Sequence, residues 1–158
     1  MVMTSFEHET VFTVHDYWDG PRVGVANFKG EPHYFQCIFD ETVDDWTSRF
    51  WLHAIDSETL QLVLEDWQIW ERWRDAFHAH KVGDETHPCL PEDRDRHAEL
   101  SLVLESRLRI DPTNDRLAEG NFEIVGPGNH LTSFRKWTVT WFEIQNNAIQ
   151  HALGVDSP

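Results

Sequence analysis

The chain has 158 residues, which is the usual size of one domain and enough to enclose a sizeable hydrophobic core. Its 28 acidic and 13 basic residues give a net charge of -15 at pH 7, so we expect neither nucleic acid nor an anionic membrane as a partner. Apolar residues make up 40% of the sequence and include 8 Trp and 10 Phe, a composition that folds and is not typical of disordered chains.

The two cysteines, Cys37 and Cys89, are too few for a disulfide framework and are interpreted as free thiols. The segment from Met1 to Thr10 lacks the basic start and the apolar stretch of a secretory signal. No window approaches the ~20 apolar residues that span a bilayer. These features together predict a cytoplasmic protein.

The segment from Val11 to Ile55 is typical of β-structure, because β-branched and aromatic residues form short runs between turn residues. In the third run, one side is predicted to face the core because its residues alternate with Tyr34, Gln36, Ile38 and Asp40. The core-facing residues are His33, Phe35, Cys37 and Phe39. Four strands are predicted: Val11 to Tyr17, Arg22 to Phe28, His33 to Asp40 and Thr47 to Ile55.

The next segment has helical periodicity. Asp56 or Ser57 can cap a helix that runs to about Val82, and Gly83 is placed to end it. Glu and Gln residues form the expected solvent face. The predicted core face consists of Leu60, Val63, Leu64, Trp67, Trp70, Trp73 and Phe77.

A second helix is predicted from Pro91 to Arg109, because proline is favoured in the first turn and Asp111-Pro112 follows the end. Its core face is expected to contain Leu100, Val103, Leu104 and Leu108. Two further strands are predicted, at about Leu117 to Val125 and Phe134 to Gln145, on either side of the turn Gly126 to Asn129.

These elements predict an α+β fold, in the order ββββ-αα-ββ, with a curved antiparallel sheet of about six strands packed on two central helices. An open barrel closed by the helices is the alternative. No linker or repeat divides the sequence, so residues 1–158 are predicted to form a single domain. The ends, at 1–9 and 147–158, are expected to be weakly ordered tails.

Asp66 is the residue whose position most needs an explanation, because the helical projection places its carboxylate within the apolar face. His97 falls on the apolar face of the second helix, so packing of the two helices could pair the imidazole with the carboxylate. Such a pair is a candidate general base with its orienting acid. The structural alternative is that Asp66 pairs with a buried arginine or caps backbone groups, while His97 is an ordinary core histidine.

Two groups of residues are candidates for ligand binding. One is the turn between the first two strands, where Asp16, Tyr17, Trp18, Asp19 and Arg22 collect carboxylates, aromatic rings and a guanidinium in a loop. The same residues are also ordinary turn formers. The other group is the tryptophan stripe of the first helix, represented by Trp70 and Trp73, which at this spacing more often forms core.

Metal binding is a weaker hypothesis. Histidines and a cysteine gather near the end of the first helix, and imidazole and thiolate are transition-metal ligands, but their spacing matches no known metal pattern. The acidic loop from Asp40 to Asp45 lacks the ligand register of a calcium site. No metal or cofactor is therefore predicted. Whether the histidines and cysteine near the end of the first helix bind metal stays open, and these residues are His78, His80, His87 and Cys89.

The sequence contains no phosphate-binding glycine loop, nucleophile elbow, HExxH or zinc-type cysteine pair. The best prediction is therefore a small acidic domain that binds a small molecule or a basic protein without catalysis. The alternative is a hydrolase or acid/base enzyme that uses Asp66 and His97 between the sheet and the helices. A homo-oligomer formed through surplus aromatic surface is compatible with both.

Overall fold

The computed structural model describes residues 7–125 and 136–144. The predicted α+β fold and the order ββββ-αα-ββ are confirmed. The six strands are all antiparallel to their neighbours and follow one another in chain order around a closed barrel. They are β1 (Glu9–Tyr17), β2 (Pro21–Phe28), β3 (Glu31–Asp40), β4 (Asp45–Ala54), β5 (Arg116–Ile124) and β6 (Trp137–Glu143).

The barrel closes where β1 meets β6, with Glu9 opposite Val139 and Thr10 opposite Thr138. The strands therefore complete the barrel, whereas the alternative from sequence had the helices closing an open one. The predicted tails lie largely outside the described residues and stay a prediction, as does the turn Gly126 to Asn129. β1 begins at Glu9, whose carboxylate accepts hydrogen bonds from the backbone of Lys29 and Gly30 in the β2–β3 turn.

Aromatic side chains fill the barrel. Phe35 is fully buried, and its ring centroid lies 5.8 Å from that of Phe50, 5.2 Å from Phe122 and 6.1 Å from Trp141. Trp141 also donates its indole hydrogen to the carbonyl of Asn27 at 2.9 Å. Rings in such tilted and edge-to-face contacts leave the interior as a packed core.

Both helices follow β4 and precede β5. The first is α1 (Ser57–His78) and the second is α2 (Arg94–Arg107), with single 3-10 turns at Asp84–Thr86 and Pro91–Asp93 between them. Asp56 caps α1, because its carboxylate accepts the backbone N–H of Thr59 at 2.8 Å. The helices pack on the outside of the barrel in a second cluster formed by Val25, Val63, Ile69, Cys89, Leu100 and Leu104.

The predictions for the two helices need correction in three respects, of which two concern their buried faces. In α1, Ile69 is 1% exposed and belongs to the core, whereas Trp67 and Trp70 are only half-buried. In α2, Val103 is 38% exposed, because the buried face follows Leu100 and Leu104 alone. The third correction concerns the end of α1.

α1 ends earlier than predicted, and Gly83 is not its terminating residue. Ala79 is the C-cap, and His80 follows it with φ 58° in the left-handed region. The N–H of Lys81 then bonds the carbonyl of Ala76 at 2.9 Å, and that of His80 bonds Phe77 at 3.0 Å. This is the Schellman arrangement, with histidine where glycine is usual.

Candidate functional site

A recess lies between the outer surface of the barrel and the helices, and we call it the helix–barrel recess. Its volume is about 780 Å³. The recess has three walls. The first is formed by β1 and β6, the second by α1 and α2, and the third by the loop between the helices. The lining residues are Val14, His15, Tyr17, Asp66, Trp67, Trp70, His87, Pro88, His97 and Trp137.

Asp66 and His97 meet in this recess. His97 Nδ1 lies 2.6 Å from Asp66 Oδ1, and the two side chains are 27% and 26% exposed. Because a carboxylate only accepts, the imidazole donates from Nδ1. The pairing that the sequence suggested between the helices is therefore present, and neither residue is sealed within the core.

The helix α1 holds Asp66 firmly on its inward side. Val63 and Ile69 stand three residues before and after it, and each is 1% exposed. One carboxylate oxygen, Oδ1, accepts the hydrogen bond from His97. Within residues 7–125 and 136–144, Oδ2 has no hydrogen-bond partner, so it is able to accept one from a ligand.

Indole rings form the apolar wall. Trp67 and Trp70 stack with their centroids 4.8 Å apart and their planes at 28°. Trp73, one of the predicted ligand-binding residues, is 7% exposed and does not line the recess. Its indole donates to Thr86 Oγ1 at 2.8 Å, which ties α1 to the following loop.

His15 is a recess residue that the sequence reasoning missed. A regular strand would turn Val14 and His15 to opposite sides, but the pairing of β1 with β2 shifts register between Val14 and Asp16. Both side chains therefore line the recess. In the sequence, the apolar and polar residues of β1 do not alternate regularly, which is a signal for a bulge. That signal does not identify which residue the bulge redirects.

The protonation of His15 follows from its neighbours. Thr13, which is fully buried, accepts the N–H of Val25 at 3.1 Å and lies 2.9 Å from His15 Nε2. The threonine hydroxyl keeps its own hydrogen and a second lone pair, so it can pair with Nε2 in either tautomer of the ring. Water in the recess reaches the side chain, but the surrounding protein desolvates the imidazole and lowers its pKa to about 4, against a smaller opposing effect of Asp66.

The turn between β1 and β2, together with residues of β4, β5 and β6, lines a second, smaller recess of about 490 Å³, called here the hairpin recess. Arg22 fastens this turn, because Nε donates to the carbonyl of Trp18 at 2.7 Å and Nη2 to that of Asp19 at 3.1 Å. Its guanidinium also lies 5.3 Å from the ring of Trp46. Two of its five N–H donors therefore hold the turn, and Nη1 lies 3.7 Å from Cys37 Sγ.

The other predicted residues of this turn are divided between the two recesses. Tyr17 lines both of them, and so does Trp137, whose ring centroid is 6.1 Å away. Asp19 and Arg22 line only the hairpin recess. Trp18 is 70% exposed, and Asp16 is also exposed, so these two line neither.

The histidines near the end of α1 are spread apart. His78 and His80 are exposed, His87 lines the helix–barrel recess, and Cys89 is buried in the cluster beneath the helices. Across the described part of the chain, no three His, Cys, Asp or Glu side chains are grouped so that they could hold a metal ion. No described helix is long and apolar enough to cross a membrane.

Comparisons of the chain with protein-family models, with curated proteins and with solved structures gave no match.

Proposed function

We propose that this protein binds a small organic molecule in the helix–barrel recess. The observation that carries the proposal is the composition of this one cavity. Its volume of about 780 Å³ falls within the range of ~300–1,000 Å³ typical of ligand pockets. Such pockets combine apolar walls with a few polar groups that orient the ligand. Here the indoles of Trp67 and Trp70 supply a wall, and Asp66 and His97 supply polar groups.

The location of the recess also supports binding. The barrel core is packed with aromatic rings, and the hairpin recess, which reaches two of them at Phe50 and Phe122, is smaller, at about 490 Å³. The helix–barrel recess instead lies where two packed layers meet, and side chains from four elements converge there. Rigid elements on each side favour a preformed site.

Acid/base catalysis is the second candidate, and the contact between His97 and Asp66 favours it. A carboxylate bonded to Nδ1 fixes the imidazole tautomer and leaves Nε2 to act as a base. Ser101 Oγ lies 3.5 Å from Nε2, which is too long for a strong hydrogen bond, and its side chain is exposed outside the recess. We therefore assign the pair to proton transfer from a bound molecule and not to activation of this serine.

Ligand-observed NMR with a fragment library tests the proposal. We expect binders whose signals are lost or weakened in Trp67→Ala, because that change removes one stacking surface of the recess. Trp18→Ala is the matched control, since Trp18 is 70% exposed and lies outside both recesses. If folded Trp67→Ala binds the same fragments as the wild type, the ligand site is elsewhere; if no fragment binds the wild type, the proposal fails.

Turnover distinguishes the second candidate. If the bound molecule is a substrate, Asp66→Asn and His97→Gln should each lower kcat by about 100-fold or more, as expected for loss of a general base. Binding without any turnover of the bound fragments or their esters and amides would leave the noncatalytic proposal in place.

A further inference from the structure

The charges in the helix–barrel recess are one-sided. Asp66 is the one acidic residue among the lining side chains that the structure describes, and these include no lysine or arginine. The chain as a whole carries a net charge of -15. The potential in the recess therefore attracts cations and repels anions.

Aromatic faces reinforce this preference. Four lining residues, Tyr17, Trp67, Trp70 and Trp137, present π-systems, and tryptophan is the strongest cation–π partner among the side chains. The ring of Trp70 already lies 5.3 Å from the guanidinium carbon of Arg74. The charge of that arginine is offset by Asp75 at 3.1 Å and Glu71 at 3.8 Å, and its side chain is not part of the recess lining.

Each of the three lining histidines contacts a neighbouring side chain. Desolvation by the surrounding protein lowers the pKa of His15, and its Nε2 lies 2.9 Å from the hydroxyl of Thr13. His97 uses Nδ1 on Oδ1 of Asp66, and Oδ2 has no hydrogen-bond partner among the residues that the structure describes. His87 packs against Trp73, with its centroid 4.7 Å away and the planes at 89°.

From these contacts we infer that the ligand is an organic cation with a flat apolar body. Its ammonium or amidinium group bonds Asp66, and the body packs on Trp67 and Trp70. This inference rests on the proposed binding function and names its ligand class. The cationic group would donate to Asp66 Oδ2, and the aromatic rings would lie around the charge and the apolar body. Neutral and anionic molecules of the same shape are the competing occupants.

Three probes of nearly equal size separate these occupants. At neutral pH benzylamine is a cation, benzyl alcohol is neutral and benzoate is an anion. Titration calorimetry or NMR should show benzylamine binding to the wild type at least about tenfold more tightly than benzyl alcohol, with benzoate weakest. In Asp66→Asn, we expect the affinity for benzyl alcohol to be kept and the preference for benzylamine to fall to near parity.

Glu105→Gln is the matched control, because Glu105 is an exposed acid on α2 and its loss changes the net charge by the same amount. The control should keep the tenfold preference. Equal affinity for benzylamine and benzyl alcohol in the wild type, or a preference that survives in Asp66→Asn, would overturn the inference while leaving small-molecule binding intact. Failure of all three probes and of the fragment library would overturn the proposed function and this inference together.

Discussion

His97 on α2 donates its Nδ1 hydrogen to Asp66 on α1 across 2.6 Å, and thereby joins two residues separated by 31 positions in the chain. Each side chain is about one quarter exposed, so water screens the contact only in part. The same two helices are joined by a second pair, Glu65 and Arg96, in which Glu65 Oε1 lies 2.7 Å from Nη2 and both side chains are more exposed. The two pairs therefore allow the same kind of contact between the two helices to be compared at a lower and a higher exposure to solvent.

A double-mutant cycle with Asp66→Asn and His97→Gln should give a coupling free energy of about 1 kcal/mol, because a partly shielded charge-assisted hydrogen bond is lost. Urea unfolding followed by circular dichroism measures it. The same cycle on Glu65 and Arg96 serves as the control, and its coupling should decline more steeply with added salt. A coupling near zero for Asp66 and His97 would mean that the observed contact contributes no stability.

The histidine that follows α1 offers a second prediction. His80 has φ 58°, a conformation that costs most L-residues about 1 kcal/mol and glycine little. His80→Gly should therefore stabilise the protein by about 1 kcal/mol, measured as the free energy of unfolding in urea. His78→Gly, within the last turn of α1, should instead destabilise it by about 1 kcal/mol. Destabilisation by both changes would contradict the assigned helix end.

Gly24 in β2 provides a third prediction. A Cβ atom there would overlap the backbone carbonyl oxygen of Thr13 and lie 2.8 Å from Cζ of Phe35. Neither neighbour is a flexible chain end, so Gly24→Ala should destabilise the protein by about 1–3 kcal/mol or prevent folding. Gly83→Ala is the control, because the atoms nearest to its added methyl group belong to the flexible end of Glu85, and its effect should stay within about 0.5 kcal/mol. Thermal melting of both variants distinguishes a packing effect from a general intolerance of alanine.

The fourth prediction concerns pH. His15 has a pKa of about 4 in the folded protein and 6.5 when unperturbed, so between these values the unfolded chain binds more protons than the folded one. Stability should consequently fall as the pH is lowered from about 6.5 towards 4. His15→Gln, which cannot take up that proton, should lose less stability over the same interval. The difference between the two urea-unfolding curves is the measured quantity, since acidic groups elsewhere contribute to both.

His78→Gln serves as the control for the pH experiment, because this histidine is exposed at the end of α1. Its pH profile should follow that of the wild type. If His15→Gln also follows the wild type throughout, His15 is not desolvated in the folded protein.

Local patterns were enough to predict most of the secondary structure. Alternation in β3 correctly placed His33, Phe35 and Cys37 on the buried side, and the helical projection correctly turned Asp66 inward. The alternation was wrong for Phe39, which is 40% exposed and follows a register shift between β3 and β4. These patterns depend on the geometry of one element at a time. The pairing of His97 with Asp66 needed one further assumption, that the two apolar helix faces pack together.

The missed features depend on contacts between distant segments or on departures from regular geometry. Closure of the barrel pairs Glu9 with Val139, and no local pattern specifies that partner. The register shift in β1 redirects His15, and a non-glycine residue ends α1 at His80. In each case tertiary structure decides what residue type alone leaves undetermined.

The helices are inserted between two strands that pair directly, since Phe50 on β4 lies opposite Ala118 on β5 and Trp51 lies opposite Leu117. The inserted segment supplies Asp66, His97 and the indole wall, yet it contributes no strand to the barrel. Substitutions that reshape this wall can therefore change the recess while the strand pairing persists. Under the proposed function, the barrel is the fixed support and the inserted helices are the part that sets which ligand fits.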